Sequence, residues 1–144
     1  MTEYGKHESK KELEGHRILV VDDEPDAMTF IATILEDHGA EVCSAASGDE
    51  ALQLIENEKP DLMTLDLAMP GKSGVDVYIE LRQNPRLTQL PVCIITGRPE
   101  MRKLIYEHQS VPPPEGYMSK PVNEKSLVLN IRKILEVKHH QAGQ

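Results

Sequence analysis

Tryptophan is absent from this 144-residue chain, and one phenylalanine and four tyrosines are its only aromatics. Aliphatic side chains must therefore fill the core. Positive charge is also short: 16 Lys and Arg stand against 24 Asp and Glu, a formal net charge of -8. That balance argues against nucleic acid or an anionic membrane as a direct partner, because both need a basic face. The two cysteines, Cys43 and Cys93, lie in apolar runs with neither CxxC nor zinc-type Cys/His spacing, and read as buried free thiols. No apolar run approaches the roughly 20 residues of a membrane span, and Met1–Lys11 lacks a signal-peptide core. A cytoplasmic chain is expected.

What is present suits one globular domain, with 39% hydrophobic and 28% charged residues. Strand and helix patterns alternate along it. Ile18–Val21 is a short apolar run of the interior parallel type and leads directly into Asp22-Asp23-Glu24. Pro25 opens a helix in which Ala27, Ile31, Ile34 and Leu35 recur at helical spacing, and Gly39 ends it. Glu41–Ala45 is a second strand, and Ser47-Gly-Asp-Glu50 reads as a capping box for a helix burying Ala51, Leu52 and Ile55. Leu62–Leu65 is a third strand that delivers Asp66 and stops at Met69-Pro70-Gly71. Ser73 caps a helix carrying Val75, Tyr78 and Ile79, which ends near Asn84-Pro85.

Pro91–Thr96 is a fourth strand, and Met101, Leu104, Ile105 and His108 mark a short helix. Val111-Pro-Pro-Pro114 cannot lie inside a helix and reads as a stiff extended connector. Gly116–Ser119 is a fifth strand meeting Lys120-Pro121, and Asn123 caps a last helix with Leu127, Ile131, Ile134 and Leu135 inward. The expected organisation is a mobile arm over residues 1–15, one domain over 16–138 and a frayed end over 139–144.

Alternating strands and helices imply a parallel sheet covered on both faces, with the working site beyond the strands' carboxyl ends. Asp22, Asp23, Asp66, Thr96 and Lys120 all fall at such ends. If the first and third strands are neighbours, three carboxylates converge. Two of them about 4 Å apart would repel by roughly 4 kcal/mol at an effective dielectric of about 20. A cation relieves that, and oxygen donors without His or Cys favour a hard one such as magnesium. A hard metal, an ammonium and a hydroxyl around one carboxylate can hold a phosphoryl group, with that carboxylate as nucleophile forming an acyl phosphate.

Asp22-Asp23, Asp66 followed by Met69-Pro70-Gly71, Thr96 and Lys120-Pro121 resemble the receiver domain of bacterial two-component response regulators, over roughly Arg17 to Val137. The resemblance implies an α/β fold of flavodoxin-like (βα)5 type, a doubly wound five-stranded parallel sheet in the order 2-1-3-4-5. It implies that a histidine kinase or histidine phosphotransfer protein phosphorylates Asp66. Magnesium would be held by Asp23, Asp66 and the carbonyl of Ala68, with Asp22 acting largely through water. Lys120 would pair with a phosphoryl oxygen and Thr96 would swing to donate to it. Tyr117 would turn inward as Thr96 moves, and a cis Lys120–Pro121 peptide would aim the lysine at the site. Such a chain is a signalling module rather than an enzyme. It would act as a monomer or weak homodimer on an unknown downstream protein, through the fourth helix, fifth strand and fifth helix.

Two features depart from that family's pattern. Val111-Pro-Pro-Pro-Glu-Gly116 replaces the usual small-residue turn, so a short fourth helix followed by an ordered extended loop is expected. Ala68 and Arg98, flanking the site, offer no acid or amide to position a hydrolytic water, which predicts a long-lived phosphoryl state. Output by protein–protein contact is expected, as a stand-alone receiver or as a segment of a longer hybrid kinase or regulator. A phosphohydrolase of the haloacid dehalogenase type needs a second Asp two residues after the nucleophile, where this chain has Ala68. A flavin module would need a phosphate loop after the first strand, and Asp22-Asp23-Glu24 is not one.

Overall fold

Five short strands form the framework: β1 (Arg17–Val21), β2 (Glu41–Ala45), β3 (Leu62–Leu65), β4 (Val92–Thr96) and β5 (Gly116–Ser119). The computed structural model describes residues 12–108 and 111–142. The strands pair in the order β2-β1-β3-β4-β5, and every pair is parallel. This is the doubly wound order expected. β1 lies against β3, with Val21 level with Leu65, so the residues that follow them leave the sheet side by side.

The helices are α1 (Pro25–Asp37), α2 (Gly48–Glu58), α3 (Gly74–Gln83), α4 (Arg102–Tyr106, after a 3-10 turn at Pro99–Met101) and α5 (Glu124–Ala142). Strand side chains alternate between two cores. Leu19, Val21, Met63, Leu65 and Ile94 face Ala51 and Ile55 of α2, Tyr78 and Leu81 of α3, and Ile105 of α4. Ile18, Val20, Leu62, Cys93 and Ile95 face Ile31, Ile34 and Leu35 of α1 and Leu127, Ile131 and Leu135 of α5. Each fully buried aliphatic side chain contributes about 1.5–3 kcal/mol. Sheet burial on both faces explains why β1, β3 and β4 read as mostly apolar runs, with Thr64 the one polar side chain inside β3. Both thiols are free, Cys93 buried and Cys43 half-buried, and burial pushes the Cys93 thiol up to about 12. No helix among the described residues is long and apolar enough to cross a membrane.

Three local expectations are revised. The arm expected to be mobile over 1–15 is held at its inner end, whereas residues 1–11 lie outside the described residues. Leu13 is fully buried in the second core, its N–H donates to the His38 carbonyl at 2.8 Å, and Arg132 pairs with Glu12 at 3.2 Å. At the other end, α5 extends to Ala142, past the boundary expected at residue 138, and no helix breaker precedes Gly143. The Ser47 box closes on one side only. Ser47 Oγ accepts from the Glu50 N–H, but the Glu50 carboxylate reaches the Ala46 N–H. The complete capping box is at Ser73 and Asp76.

The fourth helix is short, as expected, with Ile105 buried and Leu104 40% exposed. The proline stretch after it is tied down by a side chain that reads as an exposed helix-end base. Arg82, at the last turn of α3, is buried. Its Nε donates to the Tyr78 hydroxyl at 3.0 Å and its Nη1 to the carbonyls of Thr88 at 3.2 Å and Leu90 at 2.6 Å. Its Nη2 meets Glu115 Oε1 at 2.9 Å. Tyr78 in turn donates to the Pro112 carbonyl at 2.7 Å, and the Val92 N–H donates to Glu115 Oε1 at 2.7 Å. One guanidinium therefore joins α3, the entry to β4 and the proline loop. Removing it strands two carbonyls and opens a void. Urea denaturation of Arg82→Ala should show a loss of about 3 kcal/mol. Arg82→Lys should recover less than half of that, since an ammonium cannot reach acceptors lying in four directions.

Candidate functional site

Asp22 and Asp66 follow directly on β1 and β3, and their backbones extend the sheet by one bond each. The Asp22 N–H donates to the Ala45 carbonyl at 3.1 Å and the Asp66 N–H to the Val21 carbonyl at 3.0 Å. This places two carboxylates next to each other at the carboxyl edge, 1% and 3% exposed. Asp23 is half-buried beside them, and one carboxylate oxygen from each of the three lies within 4.8 Å of the others. On the far side, Lys120 follows β5, and its N–H donates to the Thr96 carbonyl at 2.9 Å. The Lys120–Pro121 peptide is cis, as the resemblance implied.

The Lys120 ammonium meets three carboxylates. Hydrogen bonds run to Glu24 Oε1 at 2.9 Å and Asp66 Oδ2 at 3.3 Å. Asp22 Oδ2 lies 2.7 Å away, the shortest of the three ion pairs. Asp22 Oδ1 accepts from the Glu24 N–H at 3.0 Å, and Asp66 Oδ1 from the Ala68 N–H at 3.2 Å. Burial by itself would lower the Lys120 ammonium, but the carboxylates of Asp22, Glu24 and Asp66 outweigh it and hold its pKa raised. Burial pushes the Asp22 carboxyl up, against the pull of Lys120 and the Glu24 N–H, and the Asp66 charge adds to the rise.

The donor set fits a hard divalent cation. Three convergent carboxylates face one ammonium, so negative charge and oxygen donors are in excess. Thr96 is buried at the end of β4, and its Oγ1 accepts from the Arg98 N–H at 3.0 Å. Arg98 itself turns to Glu100 at 2.7 Å, in an exposed ion pair.

Tyr117, on β5, is half-buried. The Arg102 guanidinium carbon sits 4.0 Å from its ring centroid and the Tyr106 ring 6.1 Å away. Its hydroxyl is buried without a hydrogen-bond partner among the described residues, and that burial holds its pKa raised. Asp22, Asp23, Asp66 and Lys120 are thus brought into one cluster. Thr96 joins it through the β4–β5 edge, and Tyr117 stands behind, under the Arg102 guanidinium and beside the tilted Tyr106 ring.

Two participants carry no separate signal in the sequence. Glu24 reads as an ordinary helix-end acid, yet it takes the shortest directed hydrogen bond of Lys120. Gly74 reads as a flexible residue after a cap, yet a Cβ there would stand 1.8 Å from the Asp66 carbonyl oxygen. Only glycine lets the start of α3 pack this closely behind β3.

Comparison with known proteins points the same way. The family model of the response regulator receiver domain matches residues 18–132. Protein PilH of Pseudomonas aeruginosa is 34% identical over 120 residues, 83% of this chain and 97% of that protein. The transcriptional regulatory protein CpxR of Escherichia coli is 34% identical over 130 residues, 90% of this chain but 53% of the relative. Among solved structures, a CheY-like receiver domain protein from Methanospirillum hungatei matches with a TM-score of 0.78 at 27% identity, covering 90% of this chain and 98% of its own. A putative response regulator from Chloroflexus aurantiacus matches with a TM-score of 0.75 at 32% identity, covering 84% and 98% respectively.

The raised Asp22 carboxyl has a consequence for stability. The folded state binds that proton more tightly than the unfolded chain, so stability falls as pH rises above the ordinary aspartate value of 3.8. The penalty is complete once pH exceeds the folded titration. In metal-free buffer, Asp22→Asn should therefore unfold at a higher temperature than the natural protein at pH 7. The gap should close as pH drops below about 3.8, as thermal melts across a pH series would show.

Proposed function

The chain belongs to the response regulator receiver domain family of two-component systems, and we propose that it works there as a phosphoacceptor with Asp66 as the acceptor residue. The observation that carries this reading is the seating of Lys120 among Asp22, Glu24 and Asp66, at the edge where three carboxylate oxygens converge. A nucleophilic carboxylate beside a fixed ammonium is built for receiving a phosphoryl group.

In this reading the donor is a phosphohistidine of a histidine kinase or phosphotransfer protein. An oxygen lone pair of Asp66 forms the new P–O bond while the P–N bond breaks. Its electron pair returns to the imidazole, which takes a proton from solvent. Lys120 then redirects one N–H hydrogen bond from Asp66 to a phosphoryl oxygen, and Thr96 turns its hydroxyl from its place beside the Arg98 N–H to donate to the same group. Asp23 and Asp66, with the carbonyl of Ala68, would hold magnesium, and Asp22 would act largely through water. Bound there, the ion supplies neutralising charge to the phosphoryl oxygens.

The added group carries about -1.5 to -2 charge. Whichever arrangement of Thr96, Lys120 and Tyr117 binds it better becomes the populated one, because a ligand shifts an equilibrium by its differential affinity. Output would pass by protein–protein contact through α4, β5 and α5. Support for that face comes from the exposed Leu104 and Tyr106 on α4.

Intact-mass measurement after incubation with acetyl phosphate and magnesium should show one added phosphoryl group, absent without magnesium and absent from Asp66→Asn. With Ala68 and the outward-facing Arg98 beside the site, the adduct on the pure protein should last minutes or longer. Decay within seconds would contradict the absence of a water-positioning side chain.

A further inference from the structure

Glu24 stands at the N-cap of α1, just ahead of Pro25, and its side chain makes no capping hydrogen bond. N-cap side chains ordinarily satisfy the free N–H groups of the first turn. Here the carboxylate turns the other way and takes a Lys120 N–H at 2.9 Å, longer than the 2.7 Å ion pair to Asp22 but shorter than the 3.3 Å bond to Asp66. The backbone N–H of the same residue donates to Asp22 Oδ1 at 3.0 Å. Glu24 therefore grips both sides of the Asp22–Lys120 pair. The two ends of this grip differ in exposure. The Glu24 side chain is 66% exposed, whereas that of Asp66 is 4% exposed.

We propose that Glu24 is a positioning residue that holds the Lys120 ammonium towards the rim and so restrains phosphoryl acceptance at Asp66. This rests on the phosphoacceptor reading above. Before transfer, one of the three ammonium donors is committed to Glu24 and cannot meet an incoming phosphoryl oxygen. Each transfer must break that bond. Because the Glu24 carboxylate is solvated and screened, the restraint is modest, and Lys120 can be released without dismantling the fold.

The test uses the full chain with acetyl phosphate as donor at saturating magnesium. Glu24→Gln removes the charged acceptor at an exposed position. Asp26→Asn, in the first turn of the same helix and exposed, removes an equal charge that does not touch Lys120. Glu24→Gln should accept phosphoryl about three- to fivefold faster than the natural protein, the range an exposed ion pair supports. Asp26→Asn should match the natural protein.

A second readout needs neither metal nor donor. The Lys120 ammonium resonance in nitrogen-edited NMR should broaden through faster exchange in Glu24→Gln alone. No gain in rate for Glu24→Gln, an equal gain for Asp26→Asn, or an unchanged Lys120 resonance would overturn the role of Glu24. If the natural protein takes no phosphoryl group at any magnesium concentration, the phosphoacceptor reading itself falls, and the restraint with it.

Discussion

Two carboxylates with almost no access to water, facing each other across adjacent strand ends, are the constraint around which this molecule is arranged. Asp22 and Asp66 cannot both be charged in such a place without a counter-charge, because desolvation and mutual repulsion act in the same direction. Lys120 supplies part of it. With Asp23 and Glu24 included, four carboxylates face a single ammonium, and the excess of negative charge makes the pocket receptive to a small hard cation. Its chemistry and its cost to stability share one origin.

The fold exists, in this sense, to hold those charges in register. Pairing β1 with β3 puts the two aspartates side by side, and pairing β4 with β5 puts Thr96 and the start of Lys120 one step apart. The helices cover the sheet so that the central strands β1, β3 and β4 can be buried and mostly apolar, and carboxylates then begin abruptly at the edge. Gly74 completes the frame from behind, since no larger residue would allow α3 to begin against the Asp66 carbonyl.

Much of this was legible in the chain, for physical reasons. Strands buried on both faces leave continuous apolar runs, and polar residues at their ends stand out by contrast, so Asp22, Asp66, Thr96 and Lys120 could be placed before any coordinates. Residues whose role depends on a partner distant in sequence were not legible. Leu13 is a lone apolar side chain among charges, with no periodic companions to mark it as core. Arg82 has the look of a solvated base in a last helical turn, and only the arrival of Glu115 and the Thr88–Leu90 carbonyls makes it an interior residue. Glu24 belongs to the same class, because Lys120 is 96 residues away in the chain. Glu50 and Asp76 show a subtler limit. Both lie three residues after a serine cap, yet only Asp76 closes its box, since Glu50 finds the Ala46 N–H instead.

The proline loop beside α4 is fastened through Tyr78 and Glu115 to a buried guanidinium, and its own rings restrict the backbone further. A segment that is disordered when free surrenders conformational entropy on association. Here that ordering has been completed during folding. A protein that docks beside this loop meets a rigid edge of fixed carbonyls and rings. On that side the entropy of ordering the loop does not have to be met at the moment of contact.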